Sequence, residues 1–561
     1  MIELLLAVTF VGAGVIFLAP DRVAGKLAFL ISLVPAGIAL YLFAAFDGAG
    51  NAFLGGDLAF ESQASWIQLG AYEISWFVGL DGISAPLVVL TTVLATLAIV
   101  SSWTPIDDRE SQFYGLVLFI EANLIGVFVA LDFFLWFIFW EAVLIPMYVL
   151  IGVWGGPRRK YAAIKFFVYT NVASLVMFGA FIAFVLGLGD TVTSFSLPEI
   201  TQAFHEEGLQ AGLFGLGTGT MASIVFVLLF VGFAVKVPVV PFHTWLPDAH
   251  VEAPTPASVL LAGVLLKMGT YALLRFNFTM FPEQVETFAI PIAAIAVISV
   301  IYGAMLALAQ TDLKRIVAYS SVSSMGYVIL GLVAFTQFGI GGATFHMVSH
   351  GLISGLLFMA VGVIYNATHT RMVGDMSGMV SRMPVAAWIL IAGAFAYMGL
   401  PLMSGFYGEF AVFYGSFGSE LLEYAPVFTA LAMFGIVIVA GYLLYAMQRS
   451  LFGPFGLETD YEVERAPLHD VAPLAVLLGL IVLLGVAPDL IFEMITDAAD
   501  PIVDLHADGD GMVEAGGADA AVTGADGADA AVTGADGVDA AAVGVDGVDA
   551  AVAEGSGGEG A

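Results

Sequence analysis

Apolar runs of about 20 residues, the length that crosses a bilayer as a helix, recur along most of the chain and alternate with short polar linkers. The pattern predicts an all-α polytopic membrane protein with about fourteen spans. They lie near 1–20, 25–46, 80–103, 112–131, 132–154, 161–187, 221–246, 254–278, 288–309, 313–336, 342–366, 385–415, 425–450 and 470–492. The first run lacks a basic flank and a small-residue cleavage site, so it reads as a retained span. One stretch, 232–276 (GFAVKVPVVPFHTWLPDAHVEAPTPASVLLAGVLLKMGTYALLRF), breaks the pattern in a telling way. Lys236 and Lys267 lie among apolar residues, with Pro238, Pro241, Pro247, Pro254 and Pro256 between them. Proline removes a backbone donor, and a broken helix at membrane depth persists only where protein or water satisfies the freed groups.

The polar positions divide into linker residues and span residues. Linkers after spans 1, 3, 5, 9, 11 and 13 hold Arg22, Lys26, Arg109, Arg158, Arg159, Lys160, Lys314, Arg315, Arg371, Arg382, Arg449 and Arg465. Linkers after spans 2, 4, 6, 8, 10 and 12 hold no Lys or Arg, which predicts both termini on the outer face. Lys165 and Arg275, near span ends, are expected to snorkel.

Inside the spans ionisable residues are few. Each costs roughly 3 kcal/mol at the membrane centre even on a forgiving scale, so each is a functional candidate. They are Glu121, Glu141, Lys236, Lys267 and Glu409, with His346 and His350 one turn apart on one face of span 11. The plain alternative for each carboxyl is a protonated or paired packing group. The histidine pair could ligate a metal but has no acidic or thiol neighbour in sequence, so a proton relay fits it better. His243, Asp248, His250 and Glu252 look ligand-like, yet a hydrogen-bonded loop capping the next helix accounts for them. Span 7 carries an ion and a proline break, and span 12 repeats this with Glu409 and Pro401. An offset of five spans inverts the second unit, and inverted repeats with broken helices mark transporters.

Composition narrows the chemistry. The mean hydropathy is +0.97 and only 11% of residues are charged. The absence of cysteine excludes thiolate-bound iron–sulfur clusters and disulfides on this chain. No nucleophile, flavin motif or phosphate loop is evident. The net charge of −32 is spread along the whole chain: the 13 acidic residues after 500 supply less than half of it. Such acidity fits a very salty habitat, where charges are screened within about 3 Å at 1 M salt. After 500 a ten-residue Gly/Ala/Asp repeat predicts a disordered tail, and its spacing does not match a calcium-binding nonapeptide.

Three stretches carry a resemblance over the chain to about residue 492. AVKVPVVPFHTWLPDAHVEAPTPASVLLAGVLLKMGTYALLRF, ALDFFLWFIFWEAVLIPMYVLIG and ALAQTDLKRIVAYSSVSSMGY resemble the antiporter-like subunits of respiratory complex I. The resemblance implies fourteen spans with inverted five-helix repeats at spans 4–8 and 9–13 and discontinuous helices 7 and 12. The expected organisation is 1–111 as a three-helix segment, 112–278 and 288–450 as the repeats, 451–500 as a linker and last helix, and 501–561 as the acidic tail. Glutamate on broken span 12, here Glu409, resembles the M-type member; L-type, N-type and Mrp D-type members carry lysine there. No long lateral helix is expected after span 14, which argues against the L-type member.

By the same resemblance Glu141 pairs with Lys236, Lys267 is the span-8 relay lysine, Glu121 matches the span-4 glutamate and His350 is a relay histidine. The chain departs at Ser324, where many members have a relay histidine. The implied function is proton translocation, coupled to quinone reduction on other subunits. With Glu141 ionised and close, the Lys236 ammonium is favoured; with Glu141 neutralised or drawn away, burial favours the neutral amine. The proton would pass Lys267 and His350 toward Glu409. No cofactor is expected on this chain; quinone, iron–sulfur clusters and, where an NADH-oxidising module is attached, flavin belong to partners. Those partners are L-, N-, K-, J-, A- and H-type membrane-arm subunits and the lipid bilayer, with no nucleic acid. The setting is the plasma membrane, and the acidity resembles that of salt-loving archaea. An Mrp-type Na⁺/H⁺ antiporter subunit and a non-pumping assembly protein are the alternatives. The orientation has a direct check: protease added to right-side-out vesicles should remove the repeat tail, and protection there with cleavage only in inverted vesicles overturns it.

Overall fold

The computed structural model describes residues 1–515 apart from 49, 57, 213 and 214. Helices dominate. The first are α1 (Ile2–Leu18), α2 (Asp21–Ala44), α3 (Ser84–Ser101) and α4 (Glu110–Val129). Then come α5 (Phe133–Ala142), α6 (Leu144–Trp154), α7 (Arg159–Leu188), the short α8 (Leu197–Glu207) and α9 (Thr218–Lys236). Next are α10 (Trp245–Glu252), α11 (Thr255–Leu260), α12 (Leu266–Ala272), α13 (Pro282–Leu308), α14 (Leu313–Val333) and α15 (Gln337–Thr368). The chain continues through α16 (Met379–Arg382), α17 (Pro384–Tyr397), α18 (Ser404–Phe417), α19 (Ala425–Leu451), α20 (Leu468–Val486) and α21 (Asp489–Ala515). Among the described residues twelve helical segments are long and apolar enough to cross a membrane, and Ile2–Leu18 and Pro384–Tyr397 are shorter apolar helices.

Burial is uneven, and it locates the core. The segment Thr255–Thr279 and helix α15 are wholly buried within their most apolar windows, and α14 nearly so. By contrast, α2, α19 and α20 leave most of that surface uncovered, as lipid-facing helices should. The buried segment Thr255–Thr279 is not a plain α-helix. Two π-helical stretches, Leu261–Leu265 and Leu273–Thr279, flank α12. A π turn shifts the hydrogen-bond ladder and rotates the side chains that follow, and such turns recur at functional sites.

Helix breaks fall where proline dictates them. α9 stops at Lys236, before Pro238 and Pro241, and a 3₁₀ turn at Phe242–Thr244 leads into α10. α17 stops at Tyr397, before Pro401, and α18 resumes at Ser404. A further interruption at Val143 separates α5 from α6, because Pro146 cannot donate to Ala142.

Connections gather at two ends. At one end Leu131 N–H donates to Phe77 O (2.9 Å), Glu73 N–H to Thr193 O (2.8 Å) and Phe133 N–H to Phe195 O (2.9 Å). At the other, Gly156 N–H donates to Glu252 O (2.8 Å), Trp154 Nε1 to Asp108 O (2.8 Å) and Arg371 Nη1 to Val251 O (2.8 Å). Alternate linkers therefore share an end, as a chain threaded back and forth requires.

Four expectations need correction. The all-α expectation left out one element: an antiparallel hairpin, β1 (Ala59–Leu69) and β2 (Tyr72–Leu80), fills the linker between α2 and α3 of the mostly helical fold. Gly70, at φ +64°, makes its turn. The last apolar run ends earlier than expected, at Val486. A 27-residue helix, α21, follows it and continues past residue 501, the expected start of the tail. Ile491, Phe492, Ile495, Ala498, Ala499 and Ile502 are its buried face. The repeat beyond 515 lies outside the described residues. Finally, Arg275 does not snorkel. It is fully buried and paired with the fully buried Asp81, while its Nη1 donates to Asn51 Oδ1 (3.0 Å). Asn51 Nδ2 in turn donates to Ala498 O of α21 (2.9 Å), so one guanidinium ties α12's π-helical extension to the hairpin linker and α21.

Removing one partner of a buried pair strands the other, at about 3–5 kcal/mol. Arg275→Met should therefore sharply lower the yield and melting temperature of the purified protein. Arg275→Met combined with Asp81→Leu should recover a large part of the loss, measured by thermal unfolding in detergent.

Candidate functional site

The two lysines of the interrupted stretch sit in different surroundings. Lys236 is the last residue of α9, where the helix dipole favours a cation, and it is 1% exposed. Its Nζ has no hydrogen-bond partner and stands 4.5 Å from the centroid of the Trp140 ring. Glu141, next in sequence to that tryptophan, is not within ion-pair distance. Its Oε2 accepts from Asn171 Nδ2 of α7 at 3.2 Å, and its Oε1 is buried and unpartnered. The last turn of α5 thus presents an indole and a carboxylate side by side, and the ammonium lies on the indole.

Lys267 is fully buried on α12, directly after the first π stretch. Its Nζ donates to Ala262 O within that stretch (2.5 Å) and meets His350 Nδ1 of α15 at 2.6 Å. The contact requires the two buried segments to approach backbone to backbone, and they do so one turn away. A Cβ on Gly351 would stand 2.7 Å from the Gly263 carbonyl oxygen. Small residues permit such closeness between membrane helices.

From His350 the polar positions continue toward Glu409. His346 lies one turn before His350 on α15, with ring centroids 6.3 Å apart, and neither of its ring nitrogens has a hydrogen-bond partner. A narrow cavity, large enough for about one water, is lined by Ser324, His346, His350, Tyr397 and Glu409. Ser324, where the resemblance implies a histidine in many members, borders this cavity. Glu409 is 5% exposed and sits in the second turn of α18, past the N-cap, Met403. Its carboxylate folds back against the helix break: a Cβ on Gly399, whose φ is +71°, would lie 2.6 Å from Glu409 Oε2. The positive φ favours glycine at 399. Glu409 is therefore not a helix cap.

Glu121 is the exception among the candidates. It is fully buried on α4 with both carboxylate oxygens unpartnered, and no hydrogen bond joins it to the other groups. The loop quartet does not cap α11, whose N-cap is Pro254 with no side-chain bond. Asp248 instead pairs with Lys165 (2.7 Å) and Arg315 (3.7 Å), so Lys165 is an ion-pair partner too. Glu252 Oε2 accepts from Arg158 N–H (2.8 Å). His250 is fully buried and stacked on Phe358 at 4.5 Å, with both ring nitrogens free. Sequence reasoning assigned Lys314 to a linker, but it is buried and donates to Ala253 O (2.6 Å). It also passed over Trp140, Asn171 and Tyr397. The polar Asn171 in an apolar run was the one visible signal among them.

Comparison with known proteins places this arrangement in context. The sequence profile of the family described as NADH:quinone oxidoreductase/Mrp antiporter, TM matches residues 130–438. The chain is 41% identical over 495 residues to NADH-quinone oxidoreductase subunit M of Rhodobacter capsulatus, covering 87% of this chain and 92% of that protein. It is 38% identical over 512 residues to F(420)H(2) dehydrogenase subunit M of Methanosarcina mazei, covering 90% and 98%. In fold it is similar to a chain of respiratory complex I from Thermus thermophilus with bound NADH. The TM-score is 0.79 at 28% identity, over 90% of this chain and 99% of that one.

The Lys267–His350 contact depends on Gly351 having no side chain. Gly351→Val should destabilise the protein by about 1–3 kcal/mol through overpacking against backbone. Gly374→Val, where an added Cβ meets nothing within 4 Å, is the control and should leave the melting temperature unchanged.

Proposed function

The chain belongs to the NADH:quinone oxidoreductase/Mrp antiporter family, and from that membership and the geometry above we propose that it is the M-type proton-translocating membrane subunit of a complex I-type respiratory complex. Quinone reduction takes place elsewhere in that complex and drives ion movement here. The observation that carries the reading is the 2.6 Å contact between Lys267 and His350. It links two buried proton-carrying groups on the most deeply buried helices and opens onto the cavity that ends at Glu409.

In this reading the chain has fourteen spans. The twelve long helices are joined by α1 and by the broken α17–α18 unit, whose counterpart is α9–α10. The two breaks fall five spans apart, which supports inverted repeats over 112–278 and 288–450, preceded by the 1–111 segment and followed by the 451–500 segment and the acidic tail. The basic linkers face the cytoplasm, so both termini lie outside the plasma membrane. Global acidity suits a salt-loving archaeal host.

Proton transfer begins at Lys236, whose ammonium is held when Glu141 approaches as a carboxylate and stranded when Glu141 withdraws. Lys267 and His350 pass the proton inward along the midplane, with Glu121 as a further buried carboxyl on the first repeat. At Ser324 a water in the cavity takes the place of an imidazole. Glu409 is the terminal donor, because the break at 399–403 gives its carboxylate a path to water.

Redox groups belong to partners. The chain contains no cysteine to hold iron–sulfur clusters, and in this reading those clusters, quinone and any flavin sit on other subunits. One relative is named for NADH and another for F(420)H(2). A membrane subunit of this kind therefore works with different donors, and its neighbours are the other membrane-arm subunits.

Vesicles carrying the assembled complex test these roles. Lys236→Ala and Glu141→Ala should leave assembly intact and abolish most coupled pumping. Wild-type pumping in Lys236→Ala overturns the pathway. Glu409→Gln keeps the shape but cannot titrate, and should lose pumping, whereas Glu409→Asp should keep much of it. Normal pumping in Glu409→Gln removes the terminal donor from the scheme.

A further inference from the structure

The proton-carrying role of Lys236 raises a question that Glu141 alone does not answer: what holds a buried ammonium when its carboxylate is away. The structure captures that arrangement. Lys236 Nζ has no hydrogen-bond or ion-pair partner, and the group that faces it is the Trp140 ring, with the centroid 4.5 Å away. A cation over an indole face at this distance is attracted by the ring quadrupole, most strongly where water is excluded. Trp140 is 1% exposed.

The indole is fixed from three sides. Its Nε1 donates to Ser174 Oγ (2.9 Å). Trp136 stacks on it at 4.8 Å between centroids, and Phe233 meets it edge-on at 5.7 Å. The carboxylate is held by the same helix: Asn171 Nδ2 donates to Glu141 Oε2. Asn171 and Ser174 are three residues apart and so share a face of α7. One helix face therefore holds both possible partners of the ammonium, the carboxylate at a distance and the indole in contact.

We propose that Trp140 is a positioning residue for proton transfer: its ring receives the Lys236 ammonium while Asn171 holds Glu141 away, which gives the lysine two alternating partners, a π face and a carboxylate, on consecutive residues. The proposal rests on Lys236 being a proton carrier. In the paired state Glu141 leaves Asn171 for Lys236. In the open state, the one seen here, the ring keeps the lysine head group in register with the pathway until its proton leaves, instead of letting it relax toward other acceptors.

The test replaces Trp140 in the assembled complex with increasingly fluorinated tryptophans, which drain the ring's negative face at nearly constant volume, alongside Trp140→Phe and Trp140→Leu. Proton translocation is read in vesicles at matched amounts of complex. The expected result is a graded loss along the fluorinated series, on the order of tenfold at its end, with Trp140→Phe intermediate and Trp140→Leu lowest. A flat fluorinated series overturns the proposal, even if Trp140→Leu pumps poorly, because packing alone is then at work. Lys236→Ala separates the two levels. If it pumps normally, the parent reading falls; if it is inactive while the fluorinated series is flat, only the role of the indole falls.

Discussion

A lysine head group buried in a bilayer needs polar partners, and for Lys267 the contact with His350 and the Ala262 carbonyl meets that constraint. Much of the surrounding architecture serves it. The π stretch before α12 places the Ala262 carbonyl within reach of the side chain. Gly263 and Gly351 let the two helices touch by their backbones, which brings an imidazole to the amine. The two most enclosed helical segments of the protein are the two that make this contact.

The breaks in α9–α10 and α17–α18 answer a related constraint with opposite charges. Lys236 ends its half-helix, where carbonyl groups converge and a cation is favoured. Glu409 lies inside the second half-helix and turns back toward the glycine at the break. Both breaks come from proline, and both place an ionisable group where a continuous helix would have left only apolar side chains.

The spans and the ionisable groups within them were legible in the sequence because an apolar run of about 20 residues has few other uses and a charge within it stands out. Lys236, Lys267, Glu141, His350 and Glu409 were found in this way. What could not be read was which groups touch: Glu141 rests on Asn171 and Lys236 on Trp140, since helix rotation at a break sets those contacts. Hydropathy also hid elements that are neither span nor loop. The hairpin alternates with a period of two around Gly70, and α21 carries acidic residues 489, 493, 497, 500 and 504 opposite its apolar face. Both signals were present but are weak beside the runs that flank them. Arg275 looked like an end-of-span arginine because its partners, Asp81 and Asn51, lie some two hundred residues away in sequence.

The backbone contact between Gly263 and Gly351 has a mechanical consequence. A carrier that works by alternating access needs a plane of slip between its halves, along which one rocks against the other. Here the plane is sealed: a carbonyl of one segment already occupies the space that even a methyl group on the other would need. In the proposed reading, a proton that crosses here is handed between side chains, because the touching backbones leave no room at this point for a wider path.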